Sequence, residues 1–446
     1  MKVREKMEKQ MNYIPSRFNA LSHTDDGGVV LFNSYTGAIT HFNEEEKQSA
    51  ISALKRTGIA LLENHIHKDL FRDGFLISGD VDEKKRAQYL HQSLHRTDLL
   101  HLIIMPTESC NFRCTYCYET FERGKMKRSV INSLKAFVQE KASHLTALHI
   151  SWFGGEPLIS LDVIEELSQS FLSIAEENQI QYSCDLVTNG YLLTKDTFKR
   201  LLSWNINQFM ITIDGVGEIH DRRRPLSDGG QTFERIIDNL IAIKTIPDPF
   251  NLTIRSNFDE DNIEDVSKLT KFLKQHFADD ERYGVLFRPV GQWGGKNDEA
   301  IPVCSRTMAN KKIWELTDEA VTEGLKMSSM VIESLMPSAS VCYAAKPHSL
   351  VVGADGQLYK CTLSVQEDFN KVGKIDDNGH FQLDYDKIAH WVTSGEETDS
   401  SCQSCFYRPA CQGNHCPLYR MRTGERPCPY EKRNIKKVLN LIWKNS

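Results

Sequence analysis

Ten of the twelve cysteines in this chain fall into two groups, and that distribution limits what it can fold into more than any other feature. Cys110, Cys114 and Cys117 form the first group, while Cys342, Cys361, Cys402, Cys405, Cys411, Cys416 and Cys428 crowd the last quarter. Cysteines separated by two or three residues are poorly placed to pair with each other, but their thiolates converge readily on one metal centre. A disulfide framework suits short secreted chains that lack a core. This chain has 446 residues, enough for two or three ordinary domains of roughly 100–200 residues each. Its opening stretch is charged and lacks the apolar centre of an export signal, so a reducing, cytoplasmic setting is expected. The ten grouped cysteines therefore read as metal ligands, and the isolated Cys184 and Cys304 as small buried hydrophobes.

Charge and hydropathy narrow the partners. Fifty-four basic and sixty acidic side chains give a net charge of −6, which argues against nucleic acid as the main partner. No apolar run approaches the roughly 18–20 residues of a membrane helix, so no membrane partner is expected.

The chain divides into four segments. Residues 1–97 alternate in pattern near Arg17–Leu21, Gly28–Phe32 and Ala38–Phe42, with turn residues between, and predict short strands. A helix follows from Asn43, a good N-cap ahead of Glu44, Glu45 and Glu46, to about Arg56. A second helix is expected near Gly58–Lys68, a strand at Gly74–Ile77 and a polar helix from Asp82 to Leu94. This mixture resembles a winged helix.

Residues 98–290 change rhythm. Apolar runs at Leu99–Met105, Leu148–Phe153, Ser183–Thr188, Phe209–Ile213, Leu252–Asn257 and Val285–Val290 are separated by amphipathic segments such as Leu161–Glu176 and Thr232–Ile246. Strands alternating with helices predict a parallel βα array, an open sheet or a partial barrel, with functional groups at the carboxyl ends of the strands. The first cysteine group follows strand one, Gly154-Gly155-Glu156-Pro157 follows strand two, Thr188-Asn189-Gly190 ends strand three and Asp214-Gly215 ends strand four. Residues 291–341 read as a helical connector, with a helix from about Thr307 to Leu335. Residues 342–446 form a second cysteine-rich unit that closes on a helix near Tyr430–Lys444.

Cys110-Asn-Phe-Arg-Cys114-Thr-Tyr-Cys117 is a CxxxCxxC sequence with an aromatic, Tyr116, just before the third cysteine. Three thiolates can hold three irons of a four-iron cluster and leave the fourth open to an outside ligand. The alternative at this point is a zinc site completed by a distant fourth residue, as in a zinc-stapled binding protein.

These motifs, in this order on a βα array, resemble the radical S-adenosylmethionine (SAM) enzymes. The resemblance implies an α/β fold with a partial (β/α)6 TIM-like barrel. It implies a 4Fe–4S cluster on Cys110, Cys114 and Cys117, with SAM on its open iron. Reductive cleavage would yield a 5′-deoxyadenosyl radical, with the electron coming from a donor such as flavodoxin or ferredoxin. Tyr116, Gly154, Gly155, Glu156, Asn189 and Thr212 are the positions expected to contact SAM. The glycines would allow close backbone approach to the methionine moiety, and Glu156 would meet its ammonium group.

The later cysteines resemble the SPASM extension, which binds two auxiliary 4Fe–4S clusters. The resemblance places Cys402, Cys405, Cys411 and Cys428 on one, and Cys342, Cys361 and Cys416 on the other. The spacer Gln412-Gly-Asn-His415 is one residue longer than the family's usual three. An eighth cysteine, present in some relatives, is missing. His348, Cys304, water or a substrate thiolate would complete the second cluster.

SPASM proteins mostly modify peptides. Sulfatase maturases, which make formylglycine, carry an Asp after the cysteine that ends the first block; here that residue is Thr362. The winged-helix-like segment resembles the element that binds precursor leaders by strand addition. The expectation is a maturase that installs Cys-derived thioether cross-links in a ribosomally made precursor peptide. The alternatives are carbon–carbon or carbon–oxygen cross-links, or formylglycine-type oxidation. No general acid or base stands out: Asp214-Gly215 is equally a turn, and His220-Asp221-Arg222-Arg223-Arg224 reads as a solvated face.

Overall fold

The computed structural model describes residues 13–55, 64–295, 297–395 and 399–445. The N-terminal segment contains strands β1 (Tyr13–Pro15), β2 (Asn19–His23), β3 (Val29–Asn33) and β4 (Ile39–Phe42). Helices α1 (Glu44–Lys55) and α2 (His65–Arg72), strand β5 (Leu76–Ser78) and helix α3 (Glu83–Gln92) complete it. β2, β3 and β4 form an antiparallel sheet in that order, and β1 pairs with β5. Asn43 caps α1: its side-chain oxygen accepts from the amides of Glu45 and Glu46, each at 3.0 Å, and the Asn43 amide donates to Glu46 Oε2 at 3.3 Å. That reciprocal box satisfies donors a helix start otherwise leaves open. Val29, Leu31, Leu70 and Phe75 pack with Ala50 and Ala53 of α1 into the local core. The helix expected over 58–68 falls partly outside the described residues, and α2 overlaps its end.

The barrel segment alternates β6 (Leu99–Ile104), α4 (Arg128–Lys141), β7 (Ala147–Trp152), α5 (Leu161–Glu177), β8 (Gln181–Thr188), α6 (Lys195–Ser203) and β9 (Gln208–Thr212). It continues with α7 (Glu218–Arg223), α8 (Phe233–Lys244), β10 (Asn251–Phe258), α9 (Val266–Phe277), β11 (Tyr283–Pro289), α10 (Arg306–Thr322) and β12 (Lys326–Met327). β6 to β12 are parallel neighbours in chain order. Their apolar runs are buried, as a parallel sheet covered by helices requires. The connector helix stops at Thr322 rather than reaching Leu335, because Gly324 turns left-handed (φ +88°) and the chain re-enters the sheet as β12.

The sheet does not end with the barrel. β13 (Ser349–Val352) adds parallel to β6, and β14 (Gln357–Tyr359), β15 (Lys371–Ile375) and β16 (Phe381–Leu383) extend it antiparallel to eleven strands.

The chain forms two compact units that are not contiguous in sequence. One comprises 96–328 and 347–391; the other comprises 1–95, 329–346 and 392–446. In the second unit the C-terminal helix α11 (Ile435–Asn445) lies against the N-terminal sheet: Trp443 stacks on His41 and Lys444 pairs with Asp25 at 3.1 Å. The closing helix is broken at Asn434 instead of running from Tyr430. Among the described residues no helix is long and apolar enough to cross a membrane.

Candidate active site

The first cysteine group sits on the loop after β6, and backbone bonds from two other loops hold it. Arg113 and Thr115 donate to the carbonyls of Pro225 and Arg223, each at 2.9 Å, and the Ser227 amide donates back to the Asn111 carbonyl at 2.8 Å. On the other side the Glu156 amide donates to the Ser109 carbonyl at 2.9 Å. Cys117 closes a turn onto the Cys114 carbonyl, and the Phe112 amide points at Cys110 Sγ at 3.3 Å.

Burial pushes the thiols of Cys110 and Cys117 up to about 12, and raises Cys114 as well, against the pull of the Arg224 charge. Three thiols kept from ionising by burial suit a cationic metal centre, which supplies the charge the protein withholds. The donor set fits an iron–sulfur cluster.

Gly154 and Gly155 stand where the second loop meets the cysteine loop. A Cβ at Gly154 would lie 2.4 Å from the Thr107 carbonyl oxygen, and one at Gly155 2.4 and 2.5 Å from those of Glu108 and Ser109. Their missing side chains let this loop press on the cysteine loop. Glu156 is fully buried, and its oxygens are already engaged. Oε1 accepts from the Leu158 amide at 3.0 Å and Thr188 Oγ1 at 2.7 Å, and Oε2 from the Asn189 amide at 2.7 Å. Asn189 in turn donates to Asn111 Oδ1 at 2.8 Å. Thr212 ends β9 in register with Arg255 of β10.

Around Tyr116 the structure gathers residues that sequence reasoning missed. The Tyr116 hydroxyl donates to Asp214 Oδ2 and accepts from Arg224 Nη1 at 2.7 Å and Asn257 Nδ2 at 3.2 Å. Burial raises its proton affinity. Asp214 also accepts the Asn257 amide at 2.8 Å.

The basic run is not a solvated face: His220, Arg223 and Arg224 are all buried. Arg223 makes a two-pronged pair with Asp259 at 2.9 and 2.8 Å, and His220 Nδ1 accepts the Asp214 amide at 3.2 Å. Partners on other loops, Asp259 just past β10 and Tyr116 on the cysteine loop, make the charges tolerable inside. The available signal was position: Asp214 lies at a strand's carboxyl end.

The C-terminal cysteines divide between the units. Cys402, Cys405, Cys411 and Cys428 share one unit with Cys342 and Cys416, whereas Cys361 and His348 belong to the other. Cys402 and Cys428 both oppose ionisation of Cys411, whose thiol burial pushes up to about 12. Cations stand beside this set: Arg420 Nη2 lies 3.5 Å from Cys402 Sγ and Lys432 Nζ 3.9 Å from Cys428 Sγ. In the longer spacer Gln412 and Gly413 are left-handed (φ +50° and +71°). The buried Gln412 bonds to Ser338 Oγ at 2.8 Å and His91 Nδ1 at 2.7 Å. Cys361 is fixed in its own unit by Asn370, whose Oδ1 accepts the Cys361 amide at 2.9 Å. Cys184 and Cys304 are buried, as small hydrophobes should be.

A parallel βα sheet that mounts a three-cysteine loop at the carboxyl end of its first strand defines a class: barrel enzymes built around an iron–sulfur centre. Residues 104–273 match the model of the Radical SAM superfamily. The chain carries a radical SAM domain and is an enzyme that uses SAM and a 4Fe–4S cluster; the zinc-stapled reading is thereby set aside. It is similar to the Cysteine-type anaerobic sulfatase-maturating enzyme of Clostridium novyi (strain NT), 23% identical over 338 residues, which are 70% of this chain and 87% of that one. An AdoMet-dependent heme synthase of Methanosarcina barkeri is 30% identical over 210 residues, 44% of this chain and 52% of the relative. Among solved structures, native anSMEcpe with bound AdoMet and Cp18Cys peptide superposes with a TM-score of 0.59 at 21% identity. It covers 77% of this chain and 97% of that one, a likeness of fold.

Proposed function

We propose that the chain is a peptide maturase that installs Cys-derived thioether cross-links in a ribosomally made precursor. Cys110, Cys114 and Cys117 hold the cluster that binds SAM. Cys402, Cys405, Cys411 and Cys428 hold one auxiliary cluster, and Cys342, Cys361 and Cys416 hold the other. Bound on the first group, a four-iron cluster supplies the electron that cleaves SAM. The chain's own residues do the positioning. Glu156 ties the carboxyl end of β8 to the cysteine loop, and Asn189 and Thr212 are the further residues expected to meet SAM. Arg224, beside Cys114 and Tyr116, offsets negative charge at the centre.

The observation that carries the peptide reading is the N-terminal sheet. Among the described residues β4 pairs with no strand other than β3, and a leader strand would add beside it by backbone hydrogen bonds. The thioether form rests on seven C-terminal cysteines where eight would close both clusters, which leaves an iron for a substrate thiolate.

A Cys-containing peptide encoded beside this chain, incubated anaerobically with enzyme, SAM and reductant, is expected to lose two hydrogens per cross-link by mass spectrometry. Full thioether formation by the C361A or C416A variant would overturn the auxiliary-cluster role. The sulfatase-maturase relatives favour a second reading, formylglycine formation. Thr362 stands where a base is expected for that chemistry, and an aldehyde product in place of a thioether would select it.

A further inference from the structure

Two of the cations beside the C-terminal cysteines reach the sulfurs themselves. Arg420 lies on the helical turn Pro417–Thr423, and its Nη2 donates to Cys402 Sγ at 3.5 Å. Lys432 follows Cys428 by four residues, and its Nζ lies 3.9 Å from Cys428 Sγ. A third donor is neutral: the Tyr407 amide points at Cys405 Sγ at 3.4 Å. All of these residues belong to one compact unit of the chain.

Arg420 is not a loose surface charge. Its Nη1 donates to Asp399 Oδ2 at 3.2 Å, its Nη2 also meets the Gly413 carbonyl at 3.2 Å, and its side chain is only 15% exposed. Asp399 caps the turn that carries Cys402, accepting the amides of Ser401 and Cys402 at 3.1 and 3.3 Å. The guanidinium is thereby pinned between the start of that turn and the spacer that follows Cys411. Asp399 is shared with Arg426, whose Nε lies 2.8 Å from Oδ2, so one carboxylate answers two guanidiniums and positive charge is left beside Cys402.

Four cysteine thiolates outweigh the positive charge of a four-iron core, and reduction adds one more negative charge. Donors aimed at the sulfurs and cations held beside them favour the reduced form and so raise the reduction potential. A poorly solvated cation acts more strongly than an exposed one.

We propose that Arg420, and to a smaller extent Lys432, raise the reduction potential of the cluster held by Cys402, Cys405, Cys411 and Cys428 and so fit it to accept an electron. Both are positioning residues that act through the sulfurs and not on the substrate. The inference rests on the reading that puts a four-iron cluster on those four cysteines. On the thioether reading, 5′-deoxyadenosyl takes a hydrogen from the peptide, and the carbon radical left behind closes a C–S bond with a thiolate. That closure releases one electron, which a cluster poised for reduction takes up.

The test uses the full chain with Cys110, Cys114 and Cys117 replaced by Ala, reconstituted anaerobically and titrated against potential with EPR detection of the reduced clusters. C428A in that background shows which signal belongs to the four-cysteine set. R420Q is expected to lower the ratio of reduced to oxidised cluster about tenfold at a fixed poise, about 59 mV for one electron. K432Q should lower it about threefold, since its contact is longer. R420K and K432R keep the charge and should restore part of the wild-type midpoint. Unchanged midpoints in both Gln variants, with iron content and signal intact, overturn the proposal and leave the cluster assignment standing. Falls as large in R420K and K432R as in the Gln variants also overturn it, because packing and not charge would then set the potential. If R420Q does not retain iron, K432Q decides: a lowered midpoint sustains the proposal and an unchanged one overturns it. If C428A removes neither iron nor signal, the cluster reading and the proposal fall together.

Discussion

The two cysteine groups are built on opposite plans. Cys110, Cys114 and Cys117 sit on a loop whose backbone is bonded to Arg223, Pro225, Ser227 and Glu156, with glycines pressed against it from the next loop. Cys402 and Cys411 sit on helices of four residues each, Ser400–Gln403 and Arg408–Cys411, steadied by the Asp399 cap and by Arg420. One site is preformed by main-chain bonds that need no metal. The other rests on two short helical turns, and on the proposed reading a bound metal contributes to its folding. Chemistry that alternates oxidation states and ligands gains from the first plan, and a passive electron store tolerates the second.

The largest effect should separate them. Replacing Cys110, Cys114 and Cys117 together by Ala is expected to abolish 5′-deoxyadenosine formation and remove one cluster's iron, with little change in anaerobic thermal stability. Replacing Cys402, Cys405, Cys411 and Cys428 together should instead cost several kcal/mol of stability, because on the proposed reading their metal is part of the fold. Equal losses of melting temperature in both variants would break the comparison.

A step down, the glycine and glutamate of the second loop test whether the first site is preformed. G155A places a methyl 2.4 Å from a carbonyl oxygen on a backbone that cannot turn aside, and should cost about 1–3 kcal/mol. E156A leaves Thr188 Oγ1 and the amides of Leu158 and Asn189 without their acceptor and should cost about 3 kcal/mol or more. Urea denaturation of the iron-free chains measures both. If either loss appears only in the cluster-loaded protein, the loop is shaped by its metal and not by its backbone.

Much of this was legible in the residues, for physical reasons. Parallel strands buried on both faces read as continuous apolar runs, so β6 to β11 stood out, and Asn43 ahead of three glutamates marked a helix start. β14 and β16, of three residues each, lack any run, and their place beside the barrel depends on pairing with distant strands. The buried arginines misled because charge in a sequence reads as exposure. Arg223 is made tolerable by Asp259, 36 residues on, and Arg224 by Tyr116, 108 residues back, and no local pattern announces either partner. Glu156 was singled out from its motif alone. That motif could not show its oxygens satisfied by Thr188 and the backbone at 158 and 189.

The smallest effect concerns His220, which stands behind the segment that holds the first cysteine loop. Burial, then the charges of Arg224 and Arg223, keeps its proton affinity well below the ordinary value near 6.5. The imidazole therefore stays neutral in the fold, and its Nδ1 accepts the Asp214 amide. In the unfolded chain it takes up a proton below about pH 6.5, so the stability it confers is complete above that value and declines as the pH falls toward its folded value. The slope is about 1.4 kcal/mol per pH unit for one such group. Asn at this position keeps an acceptor for the Asp214 amide and does not titrate. H220N is expected to be less stable than wild type at pH 8, where the contact of the ring with Phe233 is lost, and to close the gap between pH 6.5 and 5.5. Urea denaturation across that range measures it. If the two curves stay parallel, the imidazole is charged in the fold, and the first site is not backed by the neutral, acid-sensitive contact that sets it apart from the second.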